Sequence, residues 1–221
     1  MTHRPRPYAS PPCLAQALDP NHIDLQQAVD VSRWRKVERI RLLAERAALS
    51  VAARQNAAKA IARHLDQLLD QRFPSLGGLI ISAWWPIKAE LDLRFWLAAL
   101  AAKGATAALP LIFTPKAPLA FRAWTPDTPM ERGFWNIPSP ATGPEITPHI
   151  TLSPLVGWDS AGFRLGYGGG YFDRTLASLT PSPIAIGIGL DAACLPTIFP
   201  QPHDIPMDYI LTEAGPQALH P

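Results

Sequence analysis

The chain has 221 residues, of which 48% are hydrophobic and 17% are charged, and this composition excludes a disordered chain and favours one globular core over two. A formal net charge of +2 suits an anionic ligand but argues against a nucleic-acid partner, which needs a strongly basic surface. Because there is no run of about 18 apolar residues and no apolar leader, we expect a cytoplasmic protein with no membrane partner.

The first predicted elements are an irregular N-terminal extension and a helix. Five prolines within residues 1–31 predict a flexible extension, followed by a single α/β domain over residues 32–221. From Ser32 onwards, a helical period places apolar residues on one face and arginines on the opposite one. The apolar set is Val37, Ile40, Ala44 and Ala47, and the basic set is Arg35, Arg39 and Arg46. This pattern is typical of a helix that buries its apolar face and leaves a basic stripe in water.

Short apolar segments then alternate with helices. Ser50 is the predicted N-cap of a second helix that runs toward Leu69, and Asp92 is the predicted cap of a third that stops at Gly104. Strands are predicted over residues 79–85, 106–113, 118–124, 150–159, 184–190 and 208–212, and a further helix over residues 170–179. The alternation predicts an α/β fold with a mostly parallel twisted sheet and helices on both faces, three-layered and Rossmann-like. In such a fold we expect the ligand site at the carboxyl ends of the strands.

The segment RLGYGGGYFDR, residues 164–174, concentrates four glycines between two arginines. Glycine costs conformational entropy, so this density predicts a backbone that needs positive φ, approaches a ligand closely, or turns successive N–H groups toward an anion. The spacing is not a dinucleotide fingerprint, which would need glycine where Tyr171 stands, and it is not a Walker loop. From the residues alone, both a phosphate site and a tight turn are consistent with it. Asp173 is then either a magnesium ligand or a helix cap.

This segment resembles the signature loop of the 5-formyltetrahydrofolate cyclo-ligase family, also called methenyltetrahydrofolate synthetases. The resemblance extends from about Arg35 to Glu213, and it includes PIKAELD with Glu90, FWNIPSP at 134–140, LVGWD at 155–159 and HDIPMD at 203–208. It implies an enzyme that uses ATP and Mg²⁺ to convert 5-formyltetrahydrofolate into 5,10-methenyltetrahydrofolate, with release of ADP and phosphate.

The resemblance also implies roles for individual residues. The expected ATP contacts are Arg35, Lys36 and Arg39 of the first helix and Arg164, Leu165, Gly166, Tyr167, Gly168, Gly169, Gly170, Tyr171 and Phe172 of the loop. The expected folate contacts are Trp85, Glu90, Trp135, Tyr167 and Tyr171. The implied magnesium ligands are Asp173 and Asp204, and the implied catalytic groups are Arg164, Tyr171 and Arg174.

Some of these residues also have a structural explanation. A basic stripe is often solvated, Trp85 and Trp135 are consistent with core or sheet packing, and Asp204 precedes a proline as in a turn. The residues that depart from the family pattern are Glu38, Ser139 and His149.

The implied chemistry begins with attack of the formyl oxygen on the γ-phosphorus of ATP, followed by ring closure by N10 and loss of phosphate. Phosphoryl transfer depends on positioning and charge neutralisation, so it needs no Ser-His-Asp or Cys-His arrangement. We expect a monomer that acts on small molecules. Two other functions are left open: an inactive relative that binds nucleotide or folate, and RNA binding through residues 35–46, which would depend steeply on salt.

Overall fold

The computed structural model describes residues 25–219, and no helix among them is long and apolar enough to cross a membrane. The helices are α1 (Leu25–Ala48), α2 (Val51–Arg72), α3 (Arg94–Ala99) and α4 (Tyr171–Ser178). The strands are β1 (Ile80–Ser82), β2 (Thr106–Leu111), β3 (Ala120–Ala123), β4 (Met130–Arg132), β5 (Pro138–Pro140), β6 (Ile150–Pro154), β7 (Gly157–Asp159), β8 (Arg164–Leu165), β9 (Ile184–Ile188), β10 (Cys194–Leu195), β11 (Tyr209–Thr212) and β12 (Gly215–Pro216).

Seven strands form the main sheet, in the order β12-β11-β9-β6-β1-β2-β3. The central strands from β11 to β2 run parallel, whereas the edge strands β12 and β3 pair antiparallel with their neighbours. Parallel strands are covered on both faces and need continuous apolar stretches, and β6 and β9 are almost entirely buried. The predicted α/β fold with a mostly parallel sheet is therefore confirmed.

Helices cover both faces of this sheet, as predicted. Leu65 of α2 and Leu97 of α3 share one apolar cluster with Leu152 of the central strand β6. On the opposite face, Leu176 of α4 packs in a second cluster with Ile210 of β11. The core therefore consists of two apolar layers separated by the sheet.

Helix α1 begins earlier than the sequence predicts. It starts at Leu25 rather than Ser32, so residues 25–31 are helical and do not belong to an irregular extension. Val31 is buried at 6% exposure, which ties this first part of the helix to the fold. The rest of the predicted extension, residues 1–24, lies outside the described residues.

The predicted faces of α1 are reversed in the structure. Val37 and Ile40 are 58% and 62% exposed, whereas Arg35 and Arg46 are buried at 8% and 7%. The arginines turn inward because loops at the carboxyl edge of the sheet offer them carbonyl, carboxylate and phenol acceptors. The structural alternative of a solvated basic stripe therefore does not hold for Arg35 and Arg46, since a hydrophobic period gives no information about such acceptors.

The segment predicted as one strand over residues 150–159 forms two. β6 ends at Pro154 in the main sheet, and β7 then joins β8 and β10 in a separate three-stranded sheet. The buried Asp159 carboxylate accepts the N–H groups of Phe163 and Ile198, which fixes the β7–β8 hairpin. The glycine-rich segment therefore follows the small sheet, where the sequence predicts a strand of the main one.

The predicted helix ends are largely confirmed. Ser50 Oγ accepts the N–H of Ala53 at 3.1 Å and caps α2. The Asp92 carboxylate accepts the N–H of Arg94 at 3.0 Å, but the N-cap position of α3 is occupied by Leu93 rather than by the predicted Asp92. Gly104 adopts φ 79° where the helical turn after α3 ends. These signals predict well because each acts within a few residues of the chain.

Candidate active site

The glycine loop, residues 164–174, includes β8, the connection over residues 166–170 and the first turn of α4. Gly168 and Gly170 adopt φ values of 92° and 63°, in the left-handed region that residues with a side chain rarely adopt. A Cβ atom at Gly170 would also lie 2.9 Å from the Arg174 guanidinium. Glycine is needed here both for the backbone conformation and for the close approach of an arginine.

The middle of the loop presents a row of free backbone N–H groups. Within residues 25–219, no N–H group of residues 167–173 donates a hydrogen bond to another residue. These residues include the first turn of α4, where the aligned peptide dipoles place partial positive charge. Such an arrangement binds phosphate groups at helix N-termini.

The guanidinium groups of two arginines lie beside these N–H groups. Arg39 Nε donates to the Gly166 carbonyl at 2.6 Å, and Arg174 donates to the Gly169 carbonyl at 2.5 Å. Burial and the nearby Arg35 charge lower the pKa of Arg39, and the Asp204 charge opposes this decrease. Of the other expected ATP contacts on α1, Lys36 is exposed and Arg35 points toward Asp204.

The ends of the loop are anchored in the protein. Leu165 is 1% exposed and belongs to the same apolar cluster as Leu176 and Ile210. Phe172 packs against a third, smaller apolar cluster, which contains Phe121. Arg164 is buried and donates to the carbonyl of Ile205 at 3.2 Å. The side chains at both ends therefore fix the loop, while Gly168 and Gly169 at its middle are exposed.

The two expected magnesium ligands lie near each other. Asp173 pairs with Arg164 at 2.8 Å and accepts the N–H of Ile205, the residue after Asp204, at 3.1 Å. Asp204 pairs with Arg35 at 2.5 Å and accepts a backbone N–H at 2.7 Å. Burial by itself raises the pKa of Asp204, but these hydrogen bonds outweigh burial and hold that pKa below its ordinary value. Asp204 is therefore ionised at neutral pH.

Two carboxylates form a suitable donor set for Mg²⁺ on a nucleotide. Mg²⁺ takes oxygen ligands, keeps several waters, and usually needs only one or two carboxylates besides the phosphates. Within residues 25–219, no group of three His, Cys, Asp or Glu side chains is placed to hold a metal. Since each carboxylate is paired with an arginine, an ion would compete with Arg35 and Arg164 for the carboxylate oxygens.

A cavity of about 100 Å³ lies beside Glu90, several times larger than the roughly 10–15 Å³ that one water needs. Its walls include Trp84 after β1, Leu155 after β6 and Ile188 at the end of β9. The cavity therefore lies at the carboxyl ends of three parallel strands, which is where open α/β sheets bind ligands. Charged side chains on its walls include Glu90 and Arg46.

Glu90 follows a strained turn. Lys88 and Ala89 both have positive φ, 46° and 60°, and such strain concentrates at functional sites. The Glu90 carboxylate accepts the N–H of Ile87 at 2.8 Å. Burial raises the pKa of Glu90, against the opposing effects of that hydrogen bond and of the Arg46 charge. A buried carboxylate of this kind is suited to accept N–H groups from a ligand.

Tyr167 and Arg46 connect the cavity to the glycine loop. An Arg46 N–H donates to the Tyr167 phenol oxygen, and its guanidinium lies 5.8 Å from the centroid of that ring. Burial, with the nearby Glu90 charge, raises the pKa of Tyr167 to about 12, so the phenol is neutral. The loop and the cavity are therefore neighbouring parts of one site.

The aromatic residues expected to contact folate lie in different places. Trp85 packs against the main core, with the Arg94 guanidinium 4.4 Å from its ring centroid, and it is not among the cavity walls. Trp135 is 62% exposed and meets Tyr171 edge-on, with the ring centroids 5.5 Å apart. A Cβ atom on Gly169 would lie 3.6 Å from Trp135, so this aromatic pair borders the glycine loop.

Sequence reasoning missed Trp84 and Arg46 as parts of the site. For Arg46 a signal was present, because it shares a helical face with Arg35 and Arg39, which also turn inward. Nothing in the apolar run of residues 79–85 distinguished Trp84 from its neighbour.

Fold and site together define the class: an α/β protein whose glycine-rich loop adjoins a cavity with a buried carboxylate at the carboxyl ends of the strands. The model of the 5-formyltetrahydrofolate cyclo-ligase family matches residues 31–213, so the chain belongs to this family of enzymes. It is 28% identical over 174 residues to the 5-formyltetrahydrofolate cyclo-ligase of Haemophilus influenzae, and the aligned region covers 75% of this chain and 90% of that enzyme. It is 29% identical over 182 residues to the Mycolicibacterium smegmatis 5-formyltetrahydrofolate cyclo-ligase, with coverage of 79% and 91%.

Two solved structures share the fold. The 5,10-methenyltetrahydrofolate synthetase of Aquifex aeolicus superimposes with a TM-score of 0.72 at 22% identity, covering 85% of this chain and 93% of that one. The 5,10-methenyltetrahydrofolate synthetase of Mycoplasma pneumoniae superimposes with a TM-score of 0.63 at 23% identity, covering 81% of this chain and 98% of that one. The predicted family, enzyme class and fold are thereby confirmed.

Proposed function

We propose that the protein converts 5-formyltetrahydrofolate into 5,10-methenyltetrahydrofolate with consumption of ATP and release of ADP and phosphate. The observation that carries this proposal is the adjacency of the glycine loop and the Glu90 cavity, which Arg46 and Tyr167 join. Transfer between two bound substrates requires such adjacency, because the reacting atoms must be held together in a fixed orientation.

ATP is assigned to the glycine loop. The free N–H groups of residues 167–173 would bind its phosphate oxygens, and the charges of Arg39 and Arg174 would offset the negative charge of the triphosphate. Arg164 would act indirectly, because its buried side chain forms an ion pair with Asp173 and would position that carboxylate. For Lys36 the assignment rests on the resemblance alone, since this side chain is exposed.

The pterin ring of folate is assigned to the Glu90 cavity. The Glu90 carboxylate would accept its N–H donors, and Trp84 would pack against the ring. Tyr167, between the loop and the cavity, would contact both substrates. Trp85, Trp135 and Tyr171 stay proposed folate contacts on the strength of the resemblance.

The proposed reaction makes the formyl oxygen a leaving group. In the formamide the N5 lone pair delocalises into the carbonyl, so the carbon is a poor electrophile and its oxygen leaves poorly. Attack of this oxygen on the γ-phosphorus releases ADP and gives an iminium phosphate. N10 then adds to the activated carbon and loses its proton, and inorganic phosphate departs with the former formyl oxygen, which leaves the methenyl bridge.

The residues of this chain would contribute charge and position to that sequence. As phosphoryl transfer proceeds, the N–H row of residues 167–173 and the Arg174 guanidinium would stabilise charge on the transferring group. Asp173 and Asp204 would hold Mg²⁺, whose positive charge, when bound, neutralises phosphate oxygens. Glu90 would orient the folate so that its formyl oxygen faces the loop.

The test is a coupled measurement of binding and turnover. Purified protein is mixed with 5-formyltetrahydrofolate, ATP and Mg²⁺, and the methenyl chromophore is followed, with reactions lacking ATP or Mg²⁺ as controls. Product that appears only in the complete mixture supports the proposal. Binding of both substrates without product would favour the inactive relative, and binding of neither would contradict both functions. The monomeric state and the cytoplasmic location remain predictions.

A further inference from the structure

Arg46 is a buried arginine with no role in the reaction described so far. Its side chain reaches three segments that are far apart in sequence. It donates to the Lys88 carbonyl in the turn before Glu90 at 3.2 Å, to the Leu155 carbonyl after β6 at 3.4 Å, and to the Tyr167 phenol oxygen in the glycine loop. One guanidinium therefore bridges helix α1, the cavity and the loop.

This arrangement carries an energetic cost. Arg46 is 7% exposed, and its Nε–H is buried without an acceptor among the described residues. A buried cation and an unsatisfied N–H each destabilise a folded protein. Local costs of this kind concentrate at functional sites, where the geometry serves a ligand.

Arg46 also faces the charged and polar groups of the cavity. The Glu90 carboxylate is its electrostatic partner, and the Lys88 ammonium lies 5.4 Å from the centroid of the same Tyr167 ring that Arg46 approaches. A shift of Tyr167 would therefore change the position of the Arg46 charge relative to Glu90.

We propose that Arg46 is a positioning residue that couples nucleotide binding in the glycine loop to folate binding beside Glu90; this inference rests on the proposed function. Phosphate contacts would order the loop and fix Tyr167, and Arg46 would then be held against the turn before Glu90. Folate binding would then cause a smaller loss of conformational entropy, because the site is already ordered by the nucleotide. Coupling of this kind is reciprocal, so folate strengthens nucleotide binding by the same factor.

The test compares folate affinity with and without nucleotide. Calorimetric titration gives the Kd of 5-formyltetrahydrofolate alone and with a saturating non-hydrolysable ATP analogue and Mg²⁺. In the wild type we expect nucleotide to lower this Kd by about tenfold. In Arg46→Met the ratio of the two Kd values should fall to about one. Tyr167→Phe removes only the hydroxyl that Arg46 contacts, and it should remove the coupling to a similar extent.

Two comparisons make the test specific. The double variant R46M/Y167F should lose no more coupling than either single variant, because both break one interaction. Arg41→Met changes an exposed arginine of the same helix, which pairs with Glu38 and Glu45, and should leave the ratio unchanged. If Arg46→Met fails to fold, Tyr167→Phe and the charge-preserving Arg46→Lys carry the comparison, with partial coupling expected in the lysine variant.

The other outcomes separate this inference from the proposed function. Weaker binding of both ligands with an unchanged ratio would assign Arg46 a structural role only and overturn the inference. A wild-type ratio of one, with both ligands bound, would also overturn it. A wild-type protein that binds the ATP analogue but no folate would instead contradict the proposed function.

Discussion

At the scale of single residues, the site combines buried charges that are paired in different ways. Asp204 has an arginine partner that lowers its pKa, whereas Glu90 accepts one backbone N–H and its pKa is raised by burial. The Asp204 carboxylate is suited to an ionic role at neutral pH. The Glu90 carboxylate is suited to accept hydrogen bonds from N–H groups of a ligand. Substitutions of these two carboxylates should therefore differ in their effects on the free energy of unfolding and on ligand binding.

Glu90→Gln should weaken folate binding by about 10- to 100-fold, since hydrogen bonds to a charged group are the stronger ones. ATP affinity should change little. Calorimetry measures both, and Glu131→Gln, a change at an exposed glutamate, is the matched control. Equal losses for the two ligands would contradict the assignment of the pterin to this cavity.

Glu90→Gln should also make the protein more stable at neutral pH. Because the pKa of Glu90 is raised on folding, the folded state binds this proton more tightly than the unfolded chain does. Its contribution to the free energy of unfolding is therefore largest at acid pH and is lost as pH rises from the ordinary glutamate pKa through the raised one. Denaturant titrations across that window should show this decrease in the wild type, where Arg46 and Tyr167 face the carboxyl group. The variant should lack it, and parallel curves would contradict the raised pKa.

Asp173→Asn should reduce turnover by at least about 100-fold, because the neutral amide is a poor magnesium ligand and a poor partner for Arg164. Far-ultraviolet circular dichroism should show a folded protein of reduced stability, since Arg164 stays buried. Asp127→Asn, an exposed site, is the control. Unchanged turnover in Asp173→Asn would show that the carboxylate does not serve the reaction.

At the scale of elements, the glycine loop has fixed ends and an exposed middle, Gly168 and Gly169. Leu165 and Phe172 anchor the ends in apolar clusters, while the N–H groups of residues 167–173 have no acceptor within the described part of the chain. Helix α1 contacts this loop through Arg39, which donates to the Gly166 carbonyl, while Val37 and Ile40 of the same helix are exposed. The conformation of the loop backbone should therefore matter more for nucleotide affinity than for the fold.

Gly170→Ala should lower ATP affinity by about tenfold or more. Alanine in the left-handed region costs about 1–2 kcal/mol, and its methyl group would displace Arg174 from the loop. Gly78→Ala is the matched control: this glycine also has positive φ, 81°, and open space around it, but it lies outside the loop. Both variants should lose stability, and only Gly170→Ala should lose nucleotide binding in a calorimetric titration. Equal ATP affinities in the two variants would argue against the loop as the phosphate site.

At the scale of the whole molecule, the site joins parts of the chain that are far apart in sequence. Arg35 near the start of the described chain pairs with Asp204 near its end, and Arg46 reaches Leu155 and Tyr167. A ligand bound across these contacts stabilises the native state, because the unfolded chain does not assemble them.

A non-hydrolysable ATP analogue with Mg²⁺, at about 100 times its Kd, should raise the Tm by roughly 5–10 °C. This follows from about 2.7 kcal/mol of binding stabilisation and a shift of about 2–4 °C per kcal/mol for a chain of this size. Differential scanning calorimetry measures the shift. Adenosine, which has no phosphates, should produce little change at the same concentration, and an equal shift with adenosine would show that the phosphates are not the recognised group.

Much of the fold was predictable because its signals are local. Apolar runs such as residues 184–190 gave strands, Ser50 and Gly104 gave helix ends, and the order of elements gave the parallel sheet. The separation of β7 from β6 was not predictable, since the run of residues 150–159 carries no local sign that it divides between two sheets.

The sequence alone determined the family and the mostly parallel sheet, and it predicts an anion-binding glycine loop, because glycine density and hydrophobic period are properties of neighbouring residues. Only the tertiary structure decided that the arginines of α1 turn inward, that Trp84 rather than Trp85 borders the cavity, and that Arg46 meets Tyr167. The physical reason is that a buried charge depends on acceptors from distant segments, and these come together only when the chain has folded.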